Sequence, residues 1–182
     1  MSRSGRVIAG AVALGFLAAE LTTPAAFAQD PSCRQVFNGI KLQANTPNHQ
    51  YFTISGAQAD SHAQTHEMID TGRARFIRID GQWQKSPQSP HEIMKIEAEN
   101  FKKSKTVCRA VREEVIDGTA ATVYIEQSQT GPISSVGTIW IATRSGLPLR
   151  EEVNTDSGTG PAGQRHLEIR IVYTDVHAPV EK

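Results

Sequence analysis

The sequence predicts an α+β domain built on a single antiparallel β-sheet, with amphipathic helices covering one face of that sheet. Two segments, near residues 32–44 and 89–103, place apolar residues at helical spacing. Most of the remaining chain has the pattern of strands, several of them joined by Asp-Gly or Ser-Gly turns that suit antiparallel hairpins. Because a sheet with one apolar face must bury that face, the two helices are the available cover.

The N-terminal residues 1–28 have the pattern of a secretory signal peptide. Two arginines precede an apolar run from Val7 to Ala19, and Ala26 and Ala28 lie where signal peptidase requires small residues. The alternative is an uncleaved membrane anchor, but this run is shorter than the roughly 20 residues needed to span a bilayer. We therefore expect cleavage after Ala28, a periplasmic location, and one mature domain over residues 29–182 without a transmembrane segment.

The charge balance argues against two classes of partner. The chain carries 19 Lys and Arg residues and 19 Asp and Glu residues. Nucleic-acid-binding proteins usually carry a basic excess, and proteins held by charge on anionic lipid carry a polybasic cluster. The closest approach to such a cluster is Lys102, Lys103 and Lys105, but these lysines fall at the end of the second predicted helix, where they complement its dipole. We expect no nucleic-acid partner.

The two cysteines, Cys33 and Cys108, are expected to form a disulfide, because an exported protein folds in an oxidising compartment. The alternative is a pair of free buried thiols. On the chain-entropy model, closing so long a loop stabilises the fold by roughly 4 kcal/mol. Neither cysteine belongs to a Cys-x-x-Cys pair, so thiol–disulfide catalysis is not indicated.

A first amphipathic helix is predicted from Ser32 to about Ala44. Its apolar stripe consists of Val36, Phe37 and Ile40. Thr46-Pro47 ends this helix, because the residue before a proline is pushed out of the helical conformation. A short strand is predicted over residues 51–56.

The polar segment from Ala57 to Asp70 could be a strand or a helix. On a helix, His62 and His66 would lie on one face and could share a metal ion, although the His-Glu-x-x-His pattern of metalloproteases is absent. On a strand the two histidines would be solvated. We favour the second interpretation and predict no metal site.

The second helix is predicted by a capping box. Ser89 can cap it, Pro90 occupies its first position, and Glu92 follows the cap by three residues. Its inner stripe is expected to contain Ile93, either Ile96 or Glu97, and Phe101. The preceding strands, at 74–79 and 82–84, are joined by an Asp80-Gly81 hairpin turn.

From residue 106 onward the pattern is that of antiparallel strands. A turn at Asp117-Gly118 joins strands at 106–116 and 120–128, a hairpin follows to about residue 153, and a flexible loop over 154–163 precedes the last strand. In that last strand Leu167, Ile169 and Ile171 alternate with polar residues, which predicts one buried and one solvated face.

The hairpin from Thr138 to Arg150 is the most specific feature of the chain. It combines a strand containing Trp140-Ile141, a Ser145-Gly146 turn and a Gly-Leu-Pro-Leu-Arg return, whose Pro148 should lie at an edge or a bulge because it lacks a backbone donor. This hairpin resembles that of the periplasmic lipoprotein-carrier superfamily, LolA-like and LppX-like. The resemblance implies a curved antiparallel half-barrel, closed on its concave face by two or more helices, that shelters lipid or another apolar ligand.

Signals of catalysis are absent or misplaced in the sequence. The stretch Gly158–Gly163 matches G-x-G-x-x-G in form, but a strand follows it rather than the helix that a dinucleotide site needs. The acidic pairs Glu113-Glu114 and Glu151-Glu152 are adjacent along strands, so the two members of each pair point to opposite faces. We expect no catalytic residue, no cofactor and no enzymatic activity.

Together these patterns favour a periplasmic, non-catalytic binding protein or carrier for a lipid or other apolar ligand. The residues expected to line the ligand space are Ile77, Ile79, Val123, Ile125, Ile139, Ile141, Ile169 and Ile171. The competing interpretation of each is that it fills a dry core. The alternative function is an interaction module with a solid core, whose polar sheet face or exposed edge binds another protein of the envelope.

Overall fold

The structure is a computed structural model that describes residues 30–56 and 64–180. This part of the chain contains two α-helices and nine strands, with a short 3₁₀ turn at Pro31–Cys33 and another at Gly160–Gly163. In chain order the elements are α1 Arg34–Asn45, β1 Asn48–Gly56, β2 Gln64–Asp70, β3 Arg75–Ile79, β4 Gln82–Lys85, α2 Pro90–Lys103, β5 Lys105–Ile116, β6 Thr119–Thr130, β7 Ile133–Ala142, β8 Pro148–Asp156 and β9 Gln164–Val172. The predicted signal peptide lies outside the described residues.

All nine described strands pair in one open antiparallel sheet, in the order β4-β3-β2-β1-β9-β8-β7-β6-β5. The last strand, β9, returns to pair with the first, β1, so the beginning and the end of the fold meet in the middle of the sheet. The predicted α+β architecture of one antiparallel sheet with two helices is confirmed. None of the helices in the described part of the chain combines the length and the apolar character needed to cross a bilayer.

Two Asp-Gly turns close hairpins where the sequence predicts them. Asp80 and Gly81 join β3 to β4, and Asp117 and Gly118 join β5 to β6. All four residues have positive φ, between 48° and 81°. Positive φ at both central residues is the geometry of a type I′ turn, whose twist matches that of the strands it joins.

The alternation of residues along each strand gives the sheet two faces, which we call the inner face, covered by the helices, and the outer face. On the inner face, Ile139 and Ile141 of β7 pack with Val36 and Phe37 of α1. On the outer face, Val123 of β6 packs with Trp140 and Ala121. The larger apolar cluster therefore lies between α1 and the β7 region of the sheet.

The start and the middle of α1 are both held against the sheet. Cys33, immediately before α1, forms a disulfide with Cys108 of β5, which confirms the predicted pairing. Beside it, Ser32 Oγ accepts a hydrogen bond of 3.0 Å from the backbone N–H of Cys108. Further along α1, a Cβ atom at Gly39 would lie only 3.0 Å from the carbonyl oxygen of Gly146. The absence of a side chain at Gly39 thus lets the helix approach the β7–β8 turn.

The β7–β8 hairpin has the predicted turn and the predicted bulge. The backbone N–H of Gly146 donates to the carbonyl of Ala142, and the N–H of Ala142 donates to the carbonyl of Leu147, both at 2.8 Å. Pro148 opens β8 opposite Ile141, next to an irregularity in the pairing register. A proline is tolerated there because the regular ladder is already interrupted.

Helix α2 is fixed firmly at its two ends. The predicted capping box is present, since Ser89 and Glu92 each accept a hydrogen bond from the other's backbone N–H, and Pro90 is buried. At the other end, the ring of Phe101 meets that of Phe37 edge to face, with 3.7 Å between the centroids. Between these ends the side chains of Ile93, Met94 and Ala98 are only partly buried.

Candidate apolar binding cavity

A cavity of about 420 Å³ lies between the two helices and the inner face of the sheet. Helix α1 contributes Phe37 and Ile40 to its wall, α2 contributes Ile93, Met94, Ala98 and Phe101, and the sheet contributes Phe52, Met68, Leu167 and Ile169. Small-molecule sites in proteins usually have volumes of roughly 300–1,000 Å³ and mostly apolar walls. The cavity has the size and the lining of such a site.

The middle of α2 forms part of this wall without packing tightly on the sheet. Sequence analysis left open whether Ile96 or Glu97 faces inward. Both residues are exposed, but Glu97 lines the cavity and Ile96 does not. The inner stripe of α2 therefore contains a carboxylate at the place where an aliphatic side chain would have filled space.

Two further carboxylates line the cavity from the sheet, Glu126 of β6 and Glu151 of β8. The strand between them is β7, and its Gly137 pairs with Glu126 on one side and with Val153 on the other. A Cβ atom at Gly137 would lie 3.7 Å from the Cβ atom of Glu126. Since glycine has no side chain, the inner face stays open beside Glu126.

The environment of these carboxylates raises their pKa values. Burial, together with the negative charges of Glu126 and Glu97, raises the pKa of Glu151 to about 7. Burial also raises the pKa of Glu126. Burial disfavours the charged form of both groups, and at Glu151 the nearby negative charges add to this effect. The raised pKa favours the protonated form of Glu151 at a pH where an exposed glutamate would be ionised.

A buried ion pair borders the cavity on the side of β2 and β3. Arg75 Nε and Nη2 donate to the two carboxylate oxygens of Asp70 at 2.8 and 2.7 Å. The Asp70 side chain is 2% exposed and that of Arg75 is 15% exposed. Because this two-point contact satisfies both groups, the cationic charge of Arg75 is already neutralised by its own partner.

The eight residues predicted to line a ligand space fall into four groups. Ile169 lines the cavity itself. Ile139 and Ile141 lie in the core under α1, and Ile77, Ile79 and Ile171 lie elsewhere on the inner face, as their pairing or alternation with Met68 and Gln50 shows. Val123 and Ile125 lie on the outer face.

The placement of Val123 and Ile125 differs from the sequence-based expectation. The apolar residues of β6 were expected to face the helices, but it is Tyr124 that packs into the inner core and Glu126 that lines the cavity. The outward-facing Val123 packs instead against Trp140 of the neighbouring strand. Strand alternation separates two faces, but it does not show which face the helices cover.

Of the two histidines considered as metal ligands, only His66 lies within the described residues. His66 is an exposed residue of β2, which shows that the second part of the ambiguous segment is a strand. His62 lies outside the described residues. Within residues 30–56 and 64–180, no group of three or more His, Cys, Asp or Glu side chains is arranged to hold a metal ion.

The outer face carries acidic side chains that have partners, unlike Glu126 and Glu151 in the cavity. Trp140 Nε1 donates to Glu114 Oε2 at 2.6 Å, and Arg150 is ion-paired at 2.7 Å to both Glu152 and Glu168. Glu151 and Glu152 therefore point to opposite faces, as predicted. The neighbouring Glu152 is a natural reference for experiments on Glu151.

Comparison with known proteins finds similarity at the level of structure. No family model and no curated protein matches the chain. One solved structure that matches is LprF from Mycobacterium bovis, with 10% sequence identity, 84% of this chain and 98% of that chain covered, and a TM-score of 0.45. Another is MucB in complex with MucA(peri), with 15% identity, 82% of this chain covered and a TM-score of 0.37. The match spans 57% of the MucB chain.

A third similar structure is a LolA superfamily protein from Nitrosomonas europaea. Its sequence identity is 6%, the match covers 78% of this chain and 91% of that chain, and the TM-score is 0.31.

Proposed function

We propose that this chain is a periplasmic, non-catalytic binding protein or carrier for a lipid or other apolar ligand, which it holds between the sheet and the helices. The observation that carries the proposal is the cavity of about 420 Å³ with side chains of both helices and of the sheet in its wall. The periplasmic location rests on the N-terminal sequence pattern, and the absence of catalysis rests on the lack of a catalytic motif.

The packing of α2 supports this function. Its apolar residues Ile93, Met94 and Ala98 are only partly buried, although they lie on the side of the helix that faces the sheet. A ligand in the cavity would remove their remaining apolar surface from water, which is favourable by about 25 cal/mol per Å². In a protein with a solid core, this apolar surface would already be buried against the sheet.

Binding of Nile red, an uncharged apolar fluorophore, tests the proposal. We expect saturable binding to the purified protein, with the fluorescence increase and blue shift of a probe that has left water. Ala98→Trp places a large ring in the cavity wall and should abolish the signal. Ala120→Trp makes the same chemical change at an exposed position of β6 that does not line the cavity, and should bind as the wild type does.

Equal Nile red binding by the two tryptophan variants would contradict the proposal. Such a result would place the probe on the surface rather than between sheet and helices. Circular dichroism and the urea midpoint of each variant show whether Ala98→Trp still folds. If it does not, Met94→Trp provides the same test from the neighbouring turn of α2.

The exposed edge of the sheet favours a second candidate function, docking of another envelope protein. Among the described strands, β5 pairs only with β6. Its Val107, Val111 and Val115 are 48%, 36% and 69% exposed. An edge strand with apolar side chains can accept a further strand from a partner. This candidate becomes the working function if Nile red fails to bind the wild-type protein.

A further inference from the structure

We infer that the cavity selects amphiphiles that carry a permanent or protonated cationic group, such as an amine or a quaternary ammonium, and that Glu126 and Glu151 hold this group. The inference rests on the proposed function and specifies the chemical class of its ligand. We base it on the acidic side chains that line the cavity, since a site for a purely apolar ligand would not need them.

The first step is the position of the two carboxylates. Both lie on the inner face and line the same cavity, on strands separated only by β7. Gly137 of β7 leaves the space beside Glu126 free of a side chain. Glu97 lines the cavity from α2, on the opposite side. Three acidic side chains outside any described ion pair, one each from α2, β6 and β8, thus line one partly open cavity.

The second step is that Glu151 has no partner within the described chain. Its side chain is partly buried and lines the cavity, yet no side-chain hydrogen bond or ion pair joins it, or the side chain of Glu126, to any described residue. The acids of the outer face differ in this respect, because Glu114 and Glu152 are both partnered. Partial burial of a carboxylate without a partner is unfavourable, and a cationic ligand would supply the missing partner.

The third step is the charge of everything else that lines the cavity. The only other charged lining groups in the described residues are Asp70 and Arg75, which are paired with each other. Helix α1 and strand β1 contribute the neutral amides of Gln43 and Gln50. An anionic ligand would add to the repulsion between the carboxylates, whereas a cationic ligand would relieve it. Charge therefore favours cations and disfavours free fatty acids.

Displacement of Nile red by three probes with the same dodecyl chain tests this selection. The probes are dodecyltrimethylammonium, dodecanol and dodecyl sulfate, all at submicellar concentration. We expect the cation to bind roughly tenfold more tightly than the alcohol, because Coulomb attraction to the carboxylates of about 1.4 kcal/mol corresponds to that ratio, and the sulfate to bind most weakly. None of the three probes titrates between pH 6 and 8. An increase of the cation's affinity by up to about tenfold over that range would therefore report ionisation of the protein's carboxyl groups.

Two variants locate the effect. Glu151→Gln should remove most of the preference for the cation and its pH dependence, while affinity for dodecanol stays within about twofold of the wild type. Glu126→Gln provides a second, independent test of the same site. Glu152→Gln, on the outer face, is the matched control and should retain the wild-type order of affinities.

The outcomes separate this inference from the proposed function. Equal binding of all three probes, or a cation preference that survives in Glu151→Gln, would overturn the inference and leave an apolar carrier. Failure of all three probes and of Nile red to bind would overturn both. Tightest binding of the sulfate would also overturn the inference, because it would place a cationic group in the site.

Discussion

Replacing Glu151 by glutamine should make the protein more stable at neutral and alkaline pH. An ordinary glutamate has a pKa near 4.5, whereas burial and the nearby acids raise the pKa of folded Glu151 to about 7. Between these two values the unfolded chain has lost its proton and the folded protein still holds it. The contribution of Glu151 to the free energy of unfolding is therefore largest below pH 4.5. It declines as the pH rises from 4.5 to 7 and stays constant above pH 7.

The size of this decline follows from the separation between the two pKa values. Each pH unit in this window is worth about 1.4 kcal/mol, so the wild-type protein loses up to about 3 kcal/mol through Glu151 between pH 4.5 and pH 8. Glutamine has nearly the same shape and does not titrate. The Glu151→Gln variant should match the wild type at pH 4.5 and exceed its free energy of unfolding by up to about 3 kcal/mol at pH 8.

Urea unfolding at pH 4.5, 6 and 8 measures this difference, with tryptophan fluorescence as the readout. Trp140 is 5% exposed in the folded protein, so its fluorescence changes when unfolding exposes the ring to water. The control is Glu152→Gln, whose side chain is ion-paired to Arg150 on the outer face, and this variant should keep the decline caused by Glu151. If wild type and Glu151→Gln show the same pH dependence, the carboxyl group of Glu151 is not enclosed as the structure has it.

Three other substitutions test the fold around the cavity by urea unfolding. Replacing both Cys33 and Cys108 by serine should cost roughly 4 kcal/mol of stability on the chain-entropy model, because the cross-linked residues are 75 apart in sequence. Gly39→Val should cost about 1–3 kcal/mol, since its Cβ atom would crowd a backbone carbonyl of the β7–β8 turn. Arg75→Ala should cost about 3–5 kcal/mol, because it leaves the buried Asp70 without its partner.

Each of these substitutions has a matched control. Treating the wild type with a reductant should reproduce the effect of removing the cysteines, and a reductant without effect would argue against the disulfide. Asn38→Val introduces the same side chain on the exposed side of α1 and should be much milder than Gly39→Val. Arg78→Ala removes an ion pair to Glu67 whose arginine is 44% exposed, so it should cost at most about 1 kcal/mol. Equal losses in the two arginine variants would contradict the burial of Asp70.

Local signals in the sequence predicted the elements well. The capping box of α2 depends only on Ser89, Pro90 and Glu92, and the hairpin turns depend on single Asp-Gly pairs. In each case the residues that determine the geometry are neighbours in sequence, so their pattern is sufficient. The disulfide could be predicted for a different reason, since a chain with two cysteines allows only one pairing.

The acidic side of the cavity could not be predicted, because it depends on long-range pairing. In the sequence, Glu126 and Glu151 each have the pattern of a solvated residue in a strand with one polar face. Only the pairing register across β7 places both on the inner face of the sheet. In β6, apolar Val123 and Ile125 suggested the wrong face because Trp140, rather than a helix, covers the outward side. The close approach at Gly39 likewise depends on a contact with a distant turn.

Native mass spectrometry of the protein purified from the envelope of cells that export it is the most direct test of the binding cavity. Organic extraction of the same sample identifies whatever is bound. We expect a near-stoichiometric apolar or amphiphilic molecule with the wild type and with Ala120→Trp, and its loss from Ala98→Trp. A wild-type mass equal to that of the bare chain, together with no uptake of added Nile red, would contradict the account.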